Sequence, residues 1–591
     1  MNKLLPFLFL FFLCTLSYGQ YVGLDWGYAL DNQQYSSGIS IVSDPSGNAF
    51  IAGIYEGNLD MDPGPGTSIA NSGSGFASLF IKKMDPNGNY LWGHSFDLGL
   101  FADSLSGKNI ALDGSGNVYF TGLFNGTVDF DPGPNTFSLT AVNTDWGDFF
   151  VLKLDTNGDF VWAKSFGGND YLQRANVDVD GVGNAFLTGY FYGIVDFDPG
   201  PASFPLDGGT SGKVFIQKLD NNGDFLWAKT VGNNNYNRVG GAKVDAQGNL
   251  LLCGTFSGIL DLDPGTSTFN IGSNNNIQEI FVLKLDGAGD FVWGGNAKEG
   301  GSSWRTSMDV DAAGNVYLSG GFRGSGDFDP GNGVFTMNSS NNGNTTDGFL
   351  LKLNDQGIFQ WAKQMGADPS VGNNADINPH FIRTDQQGQV YSAGYFQGSI
   401  DLDPGPGTNI LTAASWSSYY FAKYTDAGDL VWALDMNSNN YELIRDISLG
   451  PVDNIYVTGG FYQSLDIDPG QGSFTLTSNG NTSMFAFKWT QDSCSNLAAI
   501  IDSVADVSCG GTGFASGYAL GGTAPYSYTW NNTPASTDTF ANFTTAGTYE
   551  FTVTDASGCS RTSNILVNGP SSQNGQDLVV NITSTQFRTG F

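Results

Sequence analysis

Asp-Phe-Asp-Pro-Gly at residues 196–200 is one of seven copies of the motif D-x-D-P-G in this chain. The other six copies begin at Asp60, Asp129, Asp261, Asp327, Asp401 and Asp466. Neighbouring copies start 65 to 74 residues apart, and such a period over most of a chain indicates one supersecondary unit used repeatedly. We therefore expect residues common to all copies to serve the fold, and we look for activity where the copies differ.

The sequence around this motif predicts four β-strands in one repeat. Residues 176–180 (NVDVD) alternate between polar and apolar, and residues 185–192 (AFLTGYFY) form a second, mostly apolar segment. After the motif and a variable loop, residues 214–220 (VFIQKLD) and 225–230 (FLWAKT) flank a tight Asn-Asn-Gly-Asp turn. Four antiparallel strands per unit are typical of one blade of a β-propeller.

A tryptophan nine residues after a lysine marks the last strand of six repeats. These tryptophans are Trp92, Trp162, Trp227, Trp293, Trp361 and Trp432. The seventh lysine, Lys488, has a leucine at that spacing, whereas Trp26 precedes Asp60 by 34 residues, as Trp162 precedes Asp196. The sequence thus predicts an all-β, seven-bladed β-propeller over residues 20–490, with four-stranded blades and an N-terminal strand that closes the last blade.

The repeat resembles the SBBP family of bacterial seven-bladed propeller repeats over about residues 21–490. The resemblance rests on the pattern G-N-x-[YF]-[ILVF]-x-G followed by F-[VI]-x-K-[LM]-D-x-x-G-[ND]-[FY]-[VL]-W. It implies the fold and leaves the activity open, because propellers serve both as enzymes and as binding modules.

A different pattern follows the repeats. Residues 491–504 are predicted as a linker, and short alternating segments with Gly and Pro turns in residues 505–570 predict a small Ig-like β-sandwich. GGTAPYSYTW at residues 521–530 and the surrounding segments resemble SprB repeats, found in cell-surface adhesins of gliding Bacteroidota. The resemblance implies a disulfide between Cys509 and Cys559. Pairing of Cys494 with either one stays open, since three cysteines permit three single pairs.

Residues 571–591 form a polar linker with one strand-like segment, DLVVNI at residues 577–582. Proteins with this set of domains commonly end in a type IX secretion sorting domain, and no such domain is recognisable here. This pattern is typical of a fragment that lacks a further domain.

The N-terminus and the composition indicate a secreted, acidic protein. Residues 1–19 carry one lysine, an apolar run and small residues near their end, which is typical of a cleaved signal peptide and too short for a membrane span. No other segment approaches about 18 apolar residues, so no membrane span is predicted. The net charge of −33 disfavours nucleic acid and anionic lipid as partners. We expect the mature chain to be secreted or held on the outer cell surface.

Few residues of this chain suit catalysis. The two histidines, His94 and His380, lie in different repeats, and the sequence has no metalloprotease, serine-hydrolase or P-loop motif. We therefore predict no enzymatic activity and a structural role for both histidines. Paired carboxylates are plentiful, so a secreted carbohydrate-active enzyme that uses rim carboxylates stays open as an alternative.

Each D-x-D-P-G motif places two carboxylates around a tight turn. This resembles the start of a calcium loop, without its distal glutamate. The alternative, favoured by the sevenfold identity, is that the aspartates accept backbone N–H groups in Asx-type turns. Calcium is the one cofactor that the sequence suggests. Its candidate ligands are Asp60, Asp62, Asp129, Asp131, Asp196, Asp198, Asp261, Asp263, Asp327, Asp329, Asp401, Asp403, Asp466 and Asp468.

Because strands alternate in direction, the motif loops and the connections between repeats share one face of the predicted ring. Several connections carry an aromatic residue and an arginine, which suit the binding of a glycan or peptide. The candidate ligand-binding residues are Tyr171, Arg174, Tyr236, Arg238, Trp304, Arg305, Tyr441 and Arg445, with His380, Phe381 and Arg383 at the equivalent place in another repeat. The alternative is that the arginines pair with rim aspartates and the rings pack between blades.

The function that the sequence favours is a secreted or surface-displayed interaction or adhesion module. We expect it to bind an extracellular glycan or protein partner through the face that carries the D-x-D-P-G loops. The carbohydrate-active enzyme and a purely structural surface protein are the alternatives.

Overall fold

The computed structural model describes residues 22–569 apart from short gaps. The residues outside the description are 1–21, 31–33, 73–76, 101–108, 169–170, 234, 273–276, 298–305, 368–374, 415, 437–441, 471–472, 480, 492–496, 508–510, 522–523, 533–535, 557–558 and 570–591. The predicted signal peptide, Cys494, Cys509 and residues 571–591 therefore lie outside the described residues. The chain divides into two compact units, Val22–Thr490 and a second unit that contains Gln491–Phe591.

The first unit consists of β1 (Val22–Leu30), six repeats of six strands and a seventh repeat of five strands. Repeat 1 contains β2 (Ser36–Ser43), β3 (Ala49–Tyr55), β4 (Asn58–Asp60), β5 (Ile69–Asn71), β6 (Ala77–Met84) and β7 (Tyr90–Leu100). Repeat 2 contains β8 (Ile110–Leu112), β9 (Val118–Phe124), β10 (Thr127–Asp129), β11 (Ser138–Thr140), β12 (Asp148–Leu154) and β13 (Phe160–Gly168). Repeat 3 contains β14 (Leu172–Val179), β15 (Ala185–Phe191), β16 (Ile194–Asp196), β17 (Pro205–Asp207), β18 (Lys213–Leu219) and β19 (Phe225–Val231).

The remaining four repeats follow the same order. Repeat 4 contains β20 (Asn237–Val244), β21 (Leu250–Ser257), β22 (Ile259–Asp261), β23 (Asn270–Gly272), β24 (Gln278–Leu285) and β25 (Phe291–Ala297). Repeat 5 contains β26 (Thr306–Val310), β27 (Val316–Phe322), β28 (Ser325–Asp327), β29 (Thr336–Asn338), α1 (Ser340–Gly343), β30 (Asp347–Leu353) and β31 (Phe359–Ala367). Repeat 6 contains β32 (Asp376–Thr384), β33 (Val390–Gln397), β34 (Ser399–Asp401), β35 (Ile410–Thr412), β36 (Ser418–Tyr424) and β37 (Leu430–Met436). Repeat 7 contains β38 (Glu442–Leu449), a 3-10 turn (Pro451–Asp453), β39 (Ile455–Phe461), β40 (Ser464–Asp466), β41 (Thr475–Thr477) and β42 (Ser483–Gln491).

Each repeat combines a four-stranded antiparallel sheet with a short hairpin that carries the D-x-D-P-G motif. In repeat 1 the sheet has the order β2-β3-β6-β7, and β4 pairs with β5 in the hairpin. The last sheet has the order β1-β42-β39-β38, so the N-terminal strand takes the place of a fourth strand in repeat 7, as the position of Trp26 predicts. The prediction of an all-β fold is confirmed: the helical elements of the described residues are α1 and one 3-10 turn.

In repeat 2, the lysine and the tryptophan of this spacing bind the following repeat. Lys153 and Trp162 face each other across β12 and β13. Both side chains donate to the carbonyl oxygen of Asn221 in repeat 3, Lys153 from Nζ at 3.3 Å and Trp162 from Nε1 at 3.0 Å. The lysine Nζ also lies 4.7 Å from the centroid of the Tyr119 ring, a cation–π distance. The nine-residue spacing therefore reflects a cross-strand pair that connects successive sheets.

Several hydrogen bonds join repeat 7 to repeat 1, and two groups of them show how the repeats meet. At the outer strands, Lys488 and Trp26 donate to the carbonyl oxygen of Pro86, at 3.0 and 3.2 Å. At the first strands, the carboxylate of Asp446 in β38 accepts a hydrogen bond from Ser40 Oγ in β2 at 2.9 Å. The first and last repeats are therefore neighbours in space although their sequences lie about 400 residues apart.

Phenylalanines fill the space between neighbouring sheets. β3 and β12 are buried at every position, which explains why their sequences are almost continuously apolar. One cluster joins Phe50 of repeat 1 with Phe124 and Phe130 of repeat 2, and the ring centroids of Phe130 and Phe150 lie 4.8 Å apart. Each such ring contributes about 1.5–3 kcal/mol through burial.

The second unit contains two three-stranded antiparallel sheets. Their strands are β43 (Leu497–Ala505), β44 (Gly513–Gly521), β45 (Ser527–Trp530), β46 (Phe540–Phe543), β47 (Gly547–Thr554) and β48 (Ser560–Val567), in the orders β43-β44-β46 and β45-β47-β48. Trp530 and Phe551 are buried in the core, with ring centroids 4.5 Å apart. β43 lies largely within residues 491–504, which the sequence predicts as a linker, because Leu497 and Ala499 pack into this core.

Candidate functional site

The aspartates of the D-x-D-P-G motif hold the shape of their own hairpin. Asp196 accepts backbone N–H groups of Asp198 at 3.2 Å and Phe204 at 2.7 Å, and the hydroxyl of Ser203 at 2.7 Å. Asp198 in turn accepts the N–H of Gly200 at 2.7 Å. Burial raises the pKa of Asp196, but its three hydrogen bonds outweigh this effect and leave the pKa below the usual value.

The same backbone bonds recur in all seven motifs. The first aspartate accepts the N–H groups two and eight residues later, and the second accepts the glycine N–H. Two of the hairpins also extend the last strand of the preceding repeat, through the pairs Gly167↔Asp196 and Gly366↔Asp401. These contacts favour the Asx-turn interpretation of the fourteen aspartates.

The described part of the chain contains no group of three or more His, Cys, Asp or Glu side chains placed to hold a metal ion. Calcium binding by the D-x-D-P-G aspartates therefore stays a prediction.

Aromatic side chains from two repeats pack together on the side of the hairpins. Trp146, in the loop between β11 and β12, lies edge-on to Tyr171 with ring centroids 4.8 Å apart. The ring of Tyr171 lies 6.0 Å from that of Tyr192, which lies 5.3 Å from that of Tyr190. Tyr190 and Tyr192 also share a hydrogen bond of 3.0 Å between their hydroxyls. Gly212 allows this packing, since a Cβ there would lie 2.9 Å from the Tyr190 ring.

Repeat 4 adds a cation and a further ring to this group. The guanidinium of Arg238 lies 5.8 Å from the ring centroid of Tyr236. Burial and the neighbouring Tyr192 raise the pKa of Tyr190, while the charge of Arg238 opposes this effect. The aromatic cluster, as we call it, consists of Trp146, Tyr171, Gln173, Tyr190, Tyr192, Tyr236 and Arg238.

The cluster is partly open to solvent and partly polar. Trp146 is 55% exposed and Tyr236 is 41% exposed. Gln173 Nε2 donates a hydrogen bond to the hydroxyl of Tyr171. The arrangement offers flat apolar faces beside hydroxyl, amide and guanidinium groups, which can bind a ligand by stacking and hydrogen bonding.

Three of the eight predicted ligand-binding residues lie in the aromatic cluster: Tyr171, Tyr236 and Arg238. Arg445 lies in β38 of repeat 7, so the structure does not bring it to this group. The side chain of Arg174 and the residues Trp304, Arg305 and Tyr441 lie outside the described residues.

The sequence interpretation missed Trp146, Gln173, Tyr190 and Tyr192. Two of them, Tyr190 and Tyr192, could have been found from the sequence, because they occupy the variable positions of the motif G-x-[FY]-x-G at the end of the second strand. Repeat 3 carries tyrosine at both variable positions, whereas repeat 2 has Leu123 and Asn125 there.

The equivalent stretch of repeat 6 serves the fold. Arg383 donates to the carboxylate of Asp446 at 2.6 Å and to the carbonyl oxygen of Ile447 at 2.9 Å, which connects β32 to β38. The ring centroid of His380 lies 5.6 Å from that of Tyr395. For Arg383 the predicted alternative, an arginine paired with an aspartate, therefore describes the structure.

Both histidines contact aromatic rings. The imidazole of His94 stacks on Trp92 with centroids 5.2 Å apart, and burial lowers the pKa of His94. His94 and His380 lie in different repeats, so neither forms a pair suited to acid–base chemistry with the other.

No protein-family model matches the chain. One curated relative is an uncharacterized WD repeat-containing protein of Acanthamoeba polyphaga mimivirus, which is 22% identical over 516 residues. The match covers 74% of this chain and 36% of that protein, so the chain spans about a third of its length. The similarity agrees with the observed repeat-containing, β-rich architecture.

Two solved structures align weakly with the chain. A subtype N10 neuraminidase-like protein from a little yellow-shouldered bat isolate aligns with a TM-score of 0.28 and 10% identity, covering 80% of this chain and 100% of that one. A DUF4221 family member from Bacteroides vulgatus gives 0.27 and 10%, covering 66% and 94%. Among the described residues, no helix has the length and apolar character that crossing a membrane requires.

Proposed function

We propose that residues 22–490 form a closed seven-bladed β-propeller, secreted or displayed on the cell surface, that acts as an interaction module. The bonds from repeat 7 to Pro86 and Ser40 of repeat 1 support a closed ring. The second unit, with its two facing three-stranded sheets, suits an Ig-like spacer of the SprB type. The partner, a glycan or a protein, docks on the face that carries the D-x-D-P-G hairpins.

The observation that carries this proposal is the asymmetry of the aromatic cluster. The motif aspartates and the lysine–tryptophan pairs recur from repeat to repeat, and the bonds of Asp196, Lys153 and Trp162 belong to the fold. At the positions equivalent to Tyr190 and Tyr192, repeat 5 has Gly321 and Arg323. Only such departures from the repeat make a site that differs from the rest of the ring, and Trp, Tyr and Arg are the residues that dominate binding energy at interfaces.

The test compares capture of extracellular material by the full mature chain and two variants. The cluster variant carries Trp146→Ala and Tyr236→Ala, and the control carries Asn157→Ala and Asn222→Ala in exposed turns at the other end of the strands. Immobilised proteins are incubated with a glycan array and with extracellular proteins, after circular dichroism has shown equal folding. Exposed substitutions usually change stability by less than about 0.5 kcal/mol.

The proposal predicts that the cluster variant loses capture and that the control keeps it. Loss of capture in the control alone would place the site on the other face. Unfolding of the cluster variant would show that these rings serve the fold.

A further inference from the structure

We infer that the ligand of the aromatic cluster is a neutral carbohydrate chain. This inference rests on the proposed binding function of that face. It names the chemical class that the cluster recognises and the side chains that make the contacts.

The geometry of the rings suits sugar units. A pyranose ring has an apolar face of C–H groups and a rim of hydroxyls. Trp146 and Tyr236 expose aromatic surface at the two ends of the cluster, in loops before β12 and β20. Between them, the rings of Tyr171, Tyr192 and Tyr190 follow each other at centroid distances of 6.0 and 5.3 Å. A chain of sugars can therefore meet several rings in sequence.

The polar groups of the cluster match hydroxyls. Tyr171, Tyr190 and Tyr192 each present a phenol, which donates and accepts hydrogen bonds, and Gln173 adds an amide. Most of these groups already bond one another in pairs, so they are oriented before a ligand arrives. Tyrosine has only two rotatable side-chain bonds, so holding it in place costs little conformational entropy.

The charges on this side of the unit disfavour acidic glycans and peptides as ligands. Arg238 is the one cation of the cluster, and it already faces the ring of Tyr236. The chain has a net charge of −33, and the D-x-D-P-G hairpins add carboxylates on this side, which repels acidic glycans and acidic peptides. The motif carboxylates already accept backbone N–H groups, so they have fewer free acceptor sites for hydrogen bonds to a basic peptide.

The experiment is titration calorimetry of the full mature chain with defined oligomers. The probes are the hexasaccharides of cellulose, xylan, laminarin, mannan and chitin, with hexagalacturonate and hexalysine as charged comparisons. We expect saturable binding of at least one neutral hexasaccharide and none of hexagalacturonate. Trp146→Ala should weaken that binding at least 10-fold, and the double variant Tyr190→Phe, Tyr192→Phe should weaken it while keeping the stacking surface.

Trp416→Ala provides a matched control. Trp416 lies two residues before β36, as Trp146 lies two residues before β12, and it is 79% exposed. Its loss should change affinity less than about twofold, and an equal loss in both variants would overturn the assignment to the cluster. Hexalysine binding that Trp146→Ala abolishes, with no neutral sugar bound, would overturn the carbohydrate inference and leave the binding function standing. If the substitutions in the cluster changed neither the binding of any probe nor the result of the capture assay, both the carbohydrate inference and the proposed binding function would be overturned.

Discussion

Lys82 is a buried amine at the junction between the first and last repeats. Its side chain is fully buried, its Nζ donates to the carbonyl oxygen of Met61 at 3.1 Å, and the Nζ lies 4.3 Å from the ring centroid of Tyr28 in β1. Burial lowers the pKa of Lys82 well below its usual value, although Asp62 and Asp60 oppose this effect. The equivalent residues of repeats 2, 4 and 5 are Leu152, Leu283 and Leu351.

Replacement of Lys82 by methionine should therefore stabilise the first unit. Exchanging buried charged groups for apolar ones of similar volume often increases stability by about 1–4 kcal/mol. Loss of the bond to Met61 costs about 1 kcal/mol, so we expect a net gain of up to about 3 kcal/mol. With an unfolding entropy of about 2.1 cal/mol/K per residue over about 470 residues, this raises Tm by at most about 3 °C.

The stability gained by Lys82→Met should increase as the pH falls below about 10.4. The folded pKa of Lys82 lies below the unfolded value of about 10.4, so the folded state takes up the proton less readily. Wild-type stability is therefore lost as pH falls from about 10.4 to the folded pKa, and the loss is constant below that pKa. The Tm difference between Lys82→Met and wild type should be smallest at pH 10.5 and larger at pH 7.

Scanning calorimetry at both pH values measures this difference, and the adjacent lysine supplies a matched control. Lys83 donates to the carbonyl oxygen of Thr156 at 3.0 Å and connects repeat 1 to repeat 2. Lys83→Met removes that bond and should destabilise the unit by about 0.5–1.5 kcal/mol. A lower Tm for Lys82→Met at both pH values, or a gain that does not change with pH, would refute the reasoning.

Three further predictions concern the ring closure, the second unit and the motif. Deletion of residues 20–30 exposes the edge of β42 and should cause aggregation or a lower Tm; an unchanged melting curve would contradict closure by β1. Non-reducing peptide mapping should find Cys509 joined to Cys559, a loop of about 50 residues that contributes up to ~4 kcal/mol; free thiols or a bond to Cys494 would disprove this pair. Asp261→Asn keeps an oxygen that accepts two backbone N–H groups, whereas Asp261→Ala should cost about 1–3 kcal/mol. Equal Tm values of the two variants would exclude this turn role, and saturable calcium heat near ~10⁻⁴–10⁻³ M would show that the motif also holds the cation.

The strand order of the repeats could be predicted because its signals are local. A lysine and a tryptophan nine residues apart are cross-strand partners around one short turn, so their spacing is fixed by that turn. The D-x-D-P-G bonds span at most eight residues. The place of β1 followed from counting, since Trp26 precedes the next motif by 34 residues, as four of its six counterparts do.

The aromatic cluster could be predicted only in part, because its contacts cross between repeats. Tyr171 and Tyr236 were recognisable as aromatic residues in variable connections. Trp146 belongs to the loop before β12, and only the packing of repeats 2 and 3 brings its ring to Tyr171. Arg383 shows the converse: its sequence context resembles that of Arg238, but Asp446 of another repeat binds its guanidinium.

The acidic composition follows from the turns of the repeat. Asp44 shows the arrangement: one carboxylate oxygen accepts the N–H groups of Ser46 and Asn48, both at 2.9 Å. Asp113, Asp180, Asp245 and Asp311 bind their turns in the same way. Much of the negative charge is therefore a consequence of building many tight turns with aspartate, and it does not by itself indicate a cationic ligand. Under the proposed function, recognition comes from residues that depart from the repeat, and the aromatic cluster of repeats 2 to 4 combines exposed aromatic surface with oriented polar groups.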